Sequence, residues 1–389
     1  MSWPPEMRAA VARPVWTERA FPLIALCALV PASARSETIW GVAPSVILSE
    51  RHDDNLFSRS EAPERDFITA LQPGLLLSGS TARWSLEARY SQEAERYADH
   101  PQLDTPRARQ EASLRWESAA TRTLDATLTA SYLQTTTATQ LYQSSGLDFG
   151  RLPARRLQLT PALTQGLSGT TTLLADLTAT RDEIIGAATL DSAVAGIRLD
   201  HRVSHHTRLS VRGQARWYEP SEGADFTSQL LALGYRREIG RSLELSLDAG
   251  PSVSRGNVAA EWLGSLHSRG RRGEWAIEWA QGETPVIGAV TQVVTRRLGA
   301  SVSGSARALR GRLALDLLRN RGGVEAETVQ ASAEATLRLA ERLAVALATA
   351  WSRQRGGSFA ANPGDIRHLV TQLRVVLEPK RRREDVDVR

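Results

Sequence analysis

A strict alternation of apolar and charged side chains runs through residues 82–98, ARWSLEARYSQEAERYA. Rolled into an α-helix of 3.6 residues per turn, these charges would point in every direction and leave no continuous apolar stripe. In an extended strand successive side chains point to opposite faces, so the same residues separate into one apolar and one charged face. The segment is therefore predicted to be a long β-strand.

The same alternation recurs through most of the chain, for example at 109–117, 123–132, 208–217 and 328–338. Short turns alternate with longer loops rich in Gly, Asp, Asn and Pro. The long loops are predicted at 52–65, 99–107, 134–151, 219–225 and 356–365.

Short turns at one end of a sheet and long loops at the other are typical of an outer-membrane barrel. A repeated turn sequence, seen as TARWSL, TRTLDA and RGRLAL, opens strands at intervals of about one hairpin. We predict an all-β fold: a transmembrane antiparallel up-and-down β-barrel of about 18 strands. The count falls to 16 if the weak segments at 259–267 and 286–304 are not strands.

The length of the strands and the chemistry of their two faces favour a membrane barrel over a soluble sheet. Strands of about ten or more residues match what a tilted strand needs to cross a bilayer. Charges that faced lipid would cost about 2 to 4 kcal/mol each near the bilayer midplane, so the charged face must meet water. A soluble all-β sandwich with a binding function is the structural alternative.

The charged face is predicted to line an aqueous lumen, as expected for a barrel of 16 to 18 strands. Because both signs are present, we expect cross-strand ion pairs to neutralise many of these charges and predict no ion selectivity. The residues assigned to the lumen are Arg83, Glu87, Arg89, Glu93, Arg115, Glu117, Asp125, Arg208, Arg212, Arg216, Glu244, Asp248, Glu274 and Glu278.

The apolar face carries aromatic rings that are predicted to lie at the membrane interfaces. The chain has 10 tryptophans and 6 phenylalanines, and indole and phenol rings are favoured at the level of the lipid headgroups. The rings assigned to the interfaces are Trp84, Tyr90, Trp116, Tyr132, Trp217, Trp262, Trp279 and Trp351.

The first 34 residues are predicted to be a cleaved Sec signal peptide. Three arginines precede the apolar run AFPLIALCALVPASA, which ends in a small-x-small cleavage site. The barrel is then assigned to residues 35–378 and a charged tail to 379–389. The only cysteine, Cys27, lies in the signal segment, so the mature chain is predicted to have no disulfide and no thiolate metal site.

Other function classes are less compatible with the sequence. The net charge is +5 and the pI about 9.8, but the arginines are dispersed rather than clustered, which argues against nucleic-acid binding. Asp53, Asp54 and Asn55 are interpreted as an Asx-type loop start rather than a Ca²⁺ site. No Asp/His pair is predicted to share a face at catalytic spacing, so we predict no enzyme activity, metal or cofactor.

Short motifs in the first strands carry a family resemblance. Asp54-Asn55-Leu56-Phe57, Pro73-Gly74-Leu75 and the spacing of Tyr90 and Tyr97 resemble outer-membrane β-barrels encoded with exopolysaccharide export and exosortase systems of Gram-negative bacteria. The resemblance implies a porin-like channel or structural component linked to exopolysaccharide export, or alternatively a non-conducting scaffold that docks an envelope complex.

The partners expected for such a barrel follow from the same resemblance. They are outer-membrane lipid and lipopolysaccharide, the outer-membrane insertion machinery and components of exopolysaccharide export. One feature departs from the usual pattern: the last predicted strand ends on Leu377 rather than on an aromatic residue and is followed by KRRREDVDVR. Recognition by the insertion machinery is therefore expected to be weaker or to use an internal signal.

Overall fold

The computed structural model describes residues 38–141, 145–148, 150–287, 293–357 and 365–377. Within them the chain forms eighteen β-strands. The strands are β1 (Ile39–Asp53), β2 (Asp66–Ser80), β3 (Trp84–Tyr97), β4 (Thr105–Ala119), β5 (Leu124–Thr135), β6 (Ala154–Gly166), β7 (Thr171–Ile184), β8 (Ala188–Arg202), β9 (Thr207–Pro220), β10 (Phe226–Ile239), β11 (Leu243–Ser254), β12 (Asn257–Arg269), β13 (Gly273–Thr284), β14 (Val293–Ala306), β15 (Leu309–Gly322), β16 (Ala326–Ala340), β17 (Leu343–Gly356) and β18 (Asp365–Leu377). Two short 3₁₀ turns, Pro101–Leu103 and Ala138–Leu141, interrupt the loops.

The strands form one closed, antiparallel, up-and-down sheet. Each strand pairs with its neighbours in sequence, and β1 closes the barrel by pairing with β18 from Val46↔Leu377 to Asp53↔Val370. Closure leaves no sheet edge to be covered, because every strand has a partner on both sides. The prediction of an 18-strand barrel is confirmed, and the alternative of a two-sheet sandwich is wrong.

The two ends of the barrel differ in their connections. At one end, here called the turn end, the strands are joined by segments such as 81–83, 240–242 and 341–342. At the other, the loop end, the loops 54–65, 98–104 and 136–153 are much longer. The asymmetry is less complete than the sequence suggests, because β11 and β12 are joined at the loop end by Arg255 and Gly256 alone. Both of these residues have positive φ, of 49° and 78°, as in a two-residue hairpin turn.

The alternation of side chains gives the sheet an inner and an outer face. Arg216 on β9 lies 2.8 Å from Glu261 on β12. Two strands separate them, so only the concave side of the sheet can bring them together. The opposite, convex face carries exposed aliphatic side chains such as Val42, Leu231 and Leu313. Charged residues in the middle of the strands therefore lie inside the barrel and apolar residues outside.

Some predicted segments lie outside the described residues. These are the signal peptide (1–34), including Cys27, and the charged tail (379–389). The two segments that were weak in the sequence are strands β12 and β14. Among the residues that the structure describes, no helix is long and apolar enough to cross a membrane.

Close pairing of β10 and β11 depends on a glycine. A Cβ added to Gly250 would lie 1.9 Å from the carbonyl oxygen of Leu231, which is far inside van der Waals contact. Because the clash is with backbone rather than with a flexible side chain, the strands would have to separate. Gly250→Ala is therefore expected to destabilise the barrel by about 1 to 3 kcal/mol, the usual cost of overpacking.

The measurement is urea unfolding in lipid vesicles, followed by the heat-dependent gel shift of the folded barrel. Gly213→Ala is the matched control, since its added Cβ would make only an ordinary 3.5 Å contact with Ile197. Equal stability of the two variants would contradict the predicted role of Gly250.

Candidate functional site: the inner face and the loop-filled mouth

The pairing register places most of the predicted lumen residues on the inner face. Glu87 is opposite Arg115 on β3 and β4, and Arg198 on β8 is opposite Arg212 on β9. Arg83 differs, because it precedes β3 in the turn 81–83 and so lies at the turn end of the barrel. The other predicted residues on the inner face are Arg89, Glu93, Glu117, Asp125, Arg208, Arg216, Glu244, Asp248, Glu274 and Glu278.

Ion pairs on this face are not confined to neighbouring strands. Arg89 pairs with Glu87, and Arg115 with Glu117, each two residues along the same strand. Others skip a strand, as when Arg51 on β1 contacts Glu95 on β3. Neutralisation of the inner face therefore uses same-strand and strand-skipping pairs in addition to the expected cross-strand ones.

The charges of the inner face are also segregated by sign around the barrel. On β8 to β10, arginines stand directly opposite arginines, as in Arg198↔Arg212 and Arg208↔Arg236. The next three strands carry mainly carboxylates on the same face, namely Glu244, Asp248, Glu261, Glu274 and Glu278. A basic arc on β8 to β10 thus lies beside an acidic arc on β11 to β13. The direct opposition of arginines could not be read from the sequence, because it depends on the register of strand pairing.

The loop between β5 and β6 crosses the mouth of the barrel. It starts after Thr135, yet the carbonyl oxygen of Ser145 accepts a hydrogen bond of 2.8 Å from the Asn320 side chain on β15. The backbone N–H of Asp148 donates to Gln354 on β17 at 2.7 Å. Asn320 and Gln354 are both buried. The described part of the loop, 136–141, 145–148 and 150–153, therefore reaches the opposite wall and narrows the mouth.

Asp148 fastens this crossing loop to its surroundings. Its carboxylate accepts hydrogen bonds from Ser58, Thr139 and the backbone N–H of Gly150, at 2.8, 2.9 and 2.9 Å. The imidazole of His368 on β18 lies 3.8 Å away. These contacts connect the loop at 136–153, the loop at 54–65 and the wall strand β18. We call Asp148 and its partners the latch.

The latch also sets the ionisation of Asp148. Burial alone would raise the pKa of this carboxyl, but the nearby His368 imidazole and the hydrogen bonds from Gly150 and Ser58 outweigh burial and hold the pKa below its ordinary value. Because the latched state favours the ionised form, its stabilisation is fully present above the ordinary pKa of an aspartate. It is lost only as the pH falls through the lowered pKa.

An apolar cluster packs behind the crossing loop. Leu147 is completely buried, and so are Ala138 and Ala154. The cluster, here called the mouth cluster, comprises Ala138, Leu141, Leu147, Ala154, Ile184, Leu190, Tyr218, Val286, Ile287, Val293, Val324 and Ala326. These residues come from both sides of the barrel, so the described loops hold together by a small core of their own inside the mouth.

The residues that carry the family resemblance form a second anchor at the loop end. Asn55 is buried, and its side chain donates to the carbonyl oxygens of Arg59 and Arg367, each at 2.8 Å. Its backbone N–H donates to Asp53 at 3.0 Å, which is the Asx-type loop start expected from the sequence. Leu56 packs against Tyr97 in a small apolar cluster.

His100 fixes the neighbouring loop 98–104. Its two ring nitrogens lie 2.7 Å from Asp66 and 3.0 Å from Glu64. Hydrogen bonds to Asp66 and Glu64 raise the pKa of His100 above its ordinary value. The stabilisation is therefore complete below the ordinary histidine pKa and is lost as the pH rises through the raised one.

The expectation that no Asp/His pair would meet on one face is wrong. His368 lies 2.8 Å from Asp53, and His100 contacts Asp66, but both pairs join residues far apart in sequence. Both nitrogens of His368 face carboxylates, which leaves neither to activate a serine. Asp53, Asp54 and His368 also lie close enough to hold a metal ion. The backbone N–H groups of Asn55 and of Leu369 on β18 already donate to Asp53 and Asp54, respectively.

The predicted interfacial rings lie on the outer face, at several heights. Trp84 begins β3 at the turn end, whereas Trp217 lies near the loop end of β9. Trp262 and Trp279 lie near the middle of their strands, away from either interface. A Cβ added to Gly264 would lie 2.2 Å from the Trp279 ring, so this indole covers a glycine on the adjacent strand. The remaining predicted rings are Tyr90, Trp116, Tyr132 and Trp351.

Residues 39–144 match the model of a family described as "putative beta-barrel porin 2". The match covers less than a third of the chain, so the first strands are similar to this porin family. No curated protein sequence is detectably similar to it.

Solved barrels of Pseudomonas aeruginosa are similar to this chain at low identity. OpdQ is 10% identical, with a TM-score of 0.49 over 87% of this chain and 97% of that one. OpdK is 10% identical, with a TM-score of 0.46 over 87% and 99%. The siderophore receptor PirA is 8% identical, with a TM-score of 0.44 over 86% and 80%.

Removal of the charge on Asp148 is expected to loosen the crossing loop. Asp148→Asn keeps the size of the side chain but weakens charge-assisted hydrogen bonds, each worth about 1.5 to 3 kcal/mol. Trypsin should then cleave after Arg151, at the end of this loop, about tenfold faster or more. After correction for the pH dependence of trypsin itself, wild-type cleavage should be constant between pH 5 and 8, because the pKa of Asp148 is lowered.

Mass spectrometry of the fragments measures the rate. Asp225→Asn, in the exposed loop 221–225, is the control and should leave cleavage at Arg151 unchanged. If Asp148→Asn is cleaved no faster than this control, Asp148 does not fasten the loop.

Proposed function

We propose that this barrel is a passive diffusion channel for small polar solutes, with a mouth narrowed by its own crossing loop. The observation that carries the proposal is the combination of a charged inner face with a loop latched to the opposite wall. A sheet of eighteen strands leaves an interior too wide for side chains to fill, so that interior holds water. The latch then sets the narrowest passage.

Two cavities support a wet interior. One of about 390 Å³ lies against β1 to β5, with Ser45, Gln72 and Arg89 in its lining. The other, of about 410 Å³, lies at the turn end beside Glu87 and Arg115. The charged side chains Arg89, Glu87 and Arg115 in these walls favour hydrated solutes over apolar ones.

The basic and acidic arcs support permeation by polar solutes of either charge. Arginines on β8 to β10 and carboxylates on β11 to β13 create an electric field across the lumen rather than a uniform potential of one sign. Such a field orients dipolar solutes as they pass. We therefore propose weak ion selectivity.

The link to exopolysaccharide export is a further proposal, supported by the resemblance of the motifs around Asn55, Pro73 and Tyr97. No residue of the inner face distinguishes a polysaccharide from another polar solute. The non-conducting scaffold is a second candidate, favoured by the mouth cluster, since a packed apolar core is what a sealed mouth would contain.

Single-channel recording in planar bilayers tests the channel proposal. The wild-type barrel is expected to give small steady steps, because the crossing loop occupies part of the mouth. Asp148→Asn combined with Asn320→Ala should give steps at least about twofold larger, or frequent switching to a larger level, because both attachments of the loop to the wall are weakened.

Asp225→Asn is the control and should conduct as the wild type does. Absence of steady current from all three proteins, each shown to be folded by its heat-dependent gel shift, would contradict the channel proposal and favour the scaffold.

A further inference from the structure

The outer face carries an arginine patch at the loop end of the wall formed by β14 to β18, with members on four of these five strands. The register of β14 to β18 places these side chains on the convex side, within four residues of the strand ends. The arginine patch consists of Arg296, Arg319, Arg321, Arg353, Arg355 and Arg367. Five of the six are exposed, and Arg353 is partly so.

Like charges stand directly opposite each other in this patch. Arg296 on β14 is paired in register with Arg319 on β15, and Arg353 on β17 with Arg367 on β18. Like charges directly opposite on one face of an antiparallel sheet destabilise it. Two such pairs, separated only by β16, indicate that an anion compensates them when the barrel is in its membrane.

The carboxylates nearby are too few to balance the arginines. Arg353 and Arg367 both contact the single carboxylate of Asp365, and Arg319 contacts Glu327 at 3.2 Å. Arg321 and Arg355 form no ion pair within the part of the chain that the structure describes. The patch therefore has six guanidinium groups against two carboxylates on the same face.

On the outer face at the loop end of β6 to β8, positive and negative charges are balanced. There Arg155 pairs with Glu183 at 2.5 Å, and Arg181 with Asp191 at 3.5 Å. Each outward arginine has its own acidic partner on the adjacent strand, so the charges balance locally. The excess of positive charge is a property of one side of the barrel rather than of the whole rim.

The position of the patch identifies the ligand class. Longer loops lie on the extracellular side of outer-membrane barrels, so the loop end faces outward from the cell. Side chains on the convex face at that height lie among the headgroups of the outer leaflet. Guanidinium groups bind phosphate through two parallel hydrogen bonds, which makes arginine the usual partner of phosphate on a planar surface.

We propose that the arginine patch on β14 to β18 binds the phosphate groups of lipopolysaccharide. The phosphates bridge the opposed arginines and remove their mutual repulsion. A second copy of this chain does not fit the patch, because a two-fold contact between identical patches would bring arginine against arginine. The proposal does not depend on conduction through the lumen.

The test compares binding of purified lipopolysaccharide to the detergent-solubilised, folded full-length barrel and two charge-matched double variants. Arg296→Gln with Arg319→Gln removes one opposed pair from the patch. Arg155→Gln with Arg181→Gln removes the same charge from the balanced region. The patch variant should bind about tenfold more weakly and with a smaller dependence on salt, whereas the other variant should bind as the wild type does.

Enzymatically dephosphorylated lipopolysaccharide identifies the chemical group that is bound. The wild type should bind it about as weakly as the patch variant binds the intact lipid. The proposal is overturned if dephosphorylation has no effect, if both double variants lose affinity equally, or if native mass spectrometry shows that the patch pairs two protein copies. Circular dichroism and the heat-dependent gel shift establish that each variant is folded.

Discussion

Hydrogen bonding around a closed sheet is the constraint on which the other features depend. In hydrocarbon an unpaired backbone group costs several kcal/mol, so all eighteen strands must be paired on both sides, and the pairing of β1 with β18 completes the ring. In the closed sheet, alternate residues of each strand then face either the outside or the inside of the barrel. Leu86 and Glu87 are neighbours in sequence, yet one faces outward and the other inward.

The two ends of the barrel interior have different contents. Toward the turn end the inner face is charged and borders cavities, whereas toward the loop end it is occupied by the crossing loop and the mouth cluster. The apolar core stabilises the loop, and the latch at Asp148 ties that core to β17 and β18. The crossing loop can thereby narrow the mouth of a wide barrel.

The arrangement of charge differs between the two faces for a physical reason. Inside, guanidinium and carboxylate groups lie within reach across a concave surface, so strand-skipping pairs such as Arg216 with Glu261 form. Outside, the convex surface spreads side chains apart, and only adjacent strands can pair. An excess of outward arginine on β14 to β18 cannot be balanced by distant carboxylates, and so it requires an external anion.

The alternation of apolar and polar residues is enough to predict the strands, because each strand shows it independently of its neighbours. It gave the strand number and the inward side of residues such as Glu87. The contacts of the mouth could not be predicted this way. His368 lies close to Asp53 and Asp148 from hundreds of residues away, and the opposition of arginines in the basic arc depends on the register of pairing. Asn55 belongs to a sequence motif, but its hydrogen bond to the carbonyl oxygen of Arg367 depends on the pairing of β1 with β18 that closes the barrel.

Thiol labelling at neighbouring positions of β3 and β4 tests the sidedness of the sheet most directly. Single cysteines at Leu86 and Leu114 on the outer face, and at Glu87 and Arg115 on the inner face, would be placed in a chain lacking Cys27 and reconstituted into vesicles. A water-soluble reagent should modify Glu87→Cys and Arg115→Cys, and a membrane-soluble reagent should modify the two leucine positions. The reverse pattern, or equal labelling of all four, would contradict a barrel with lipid outside and water inside.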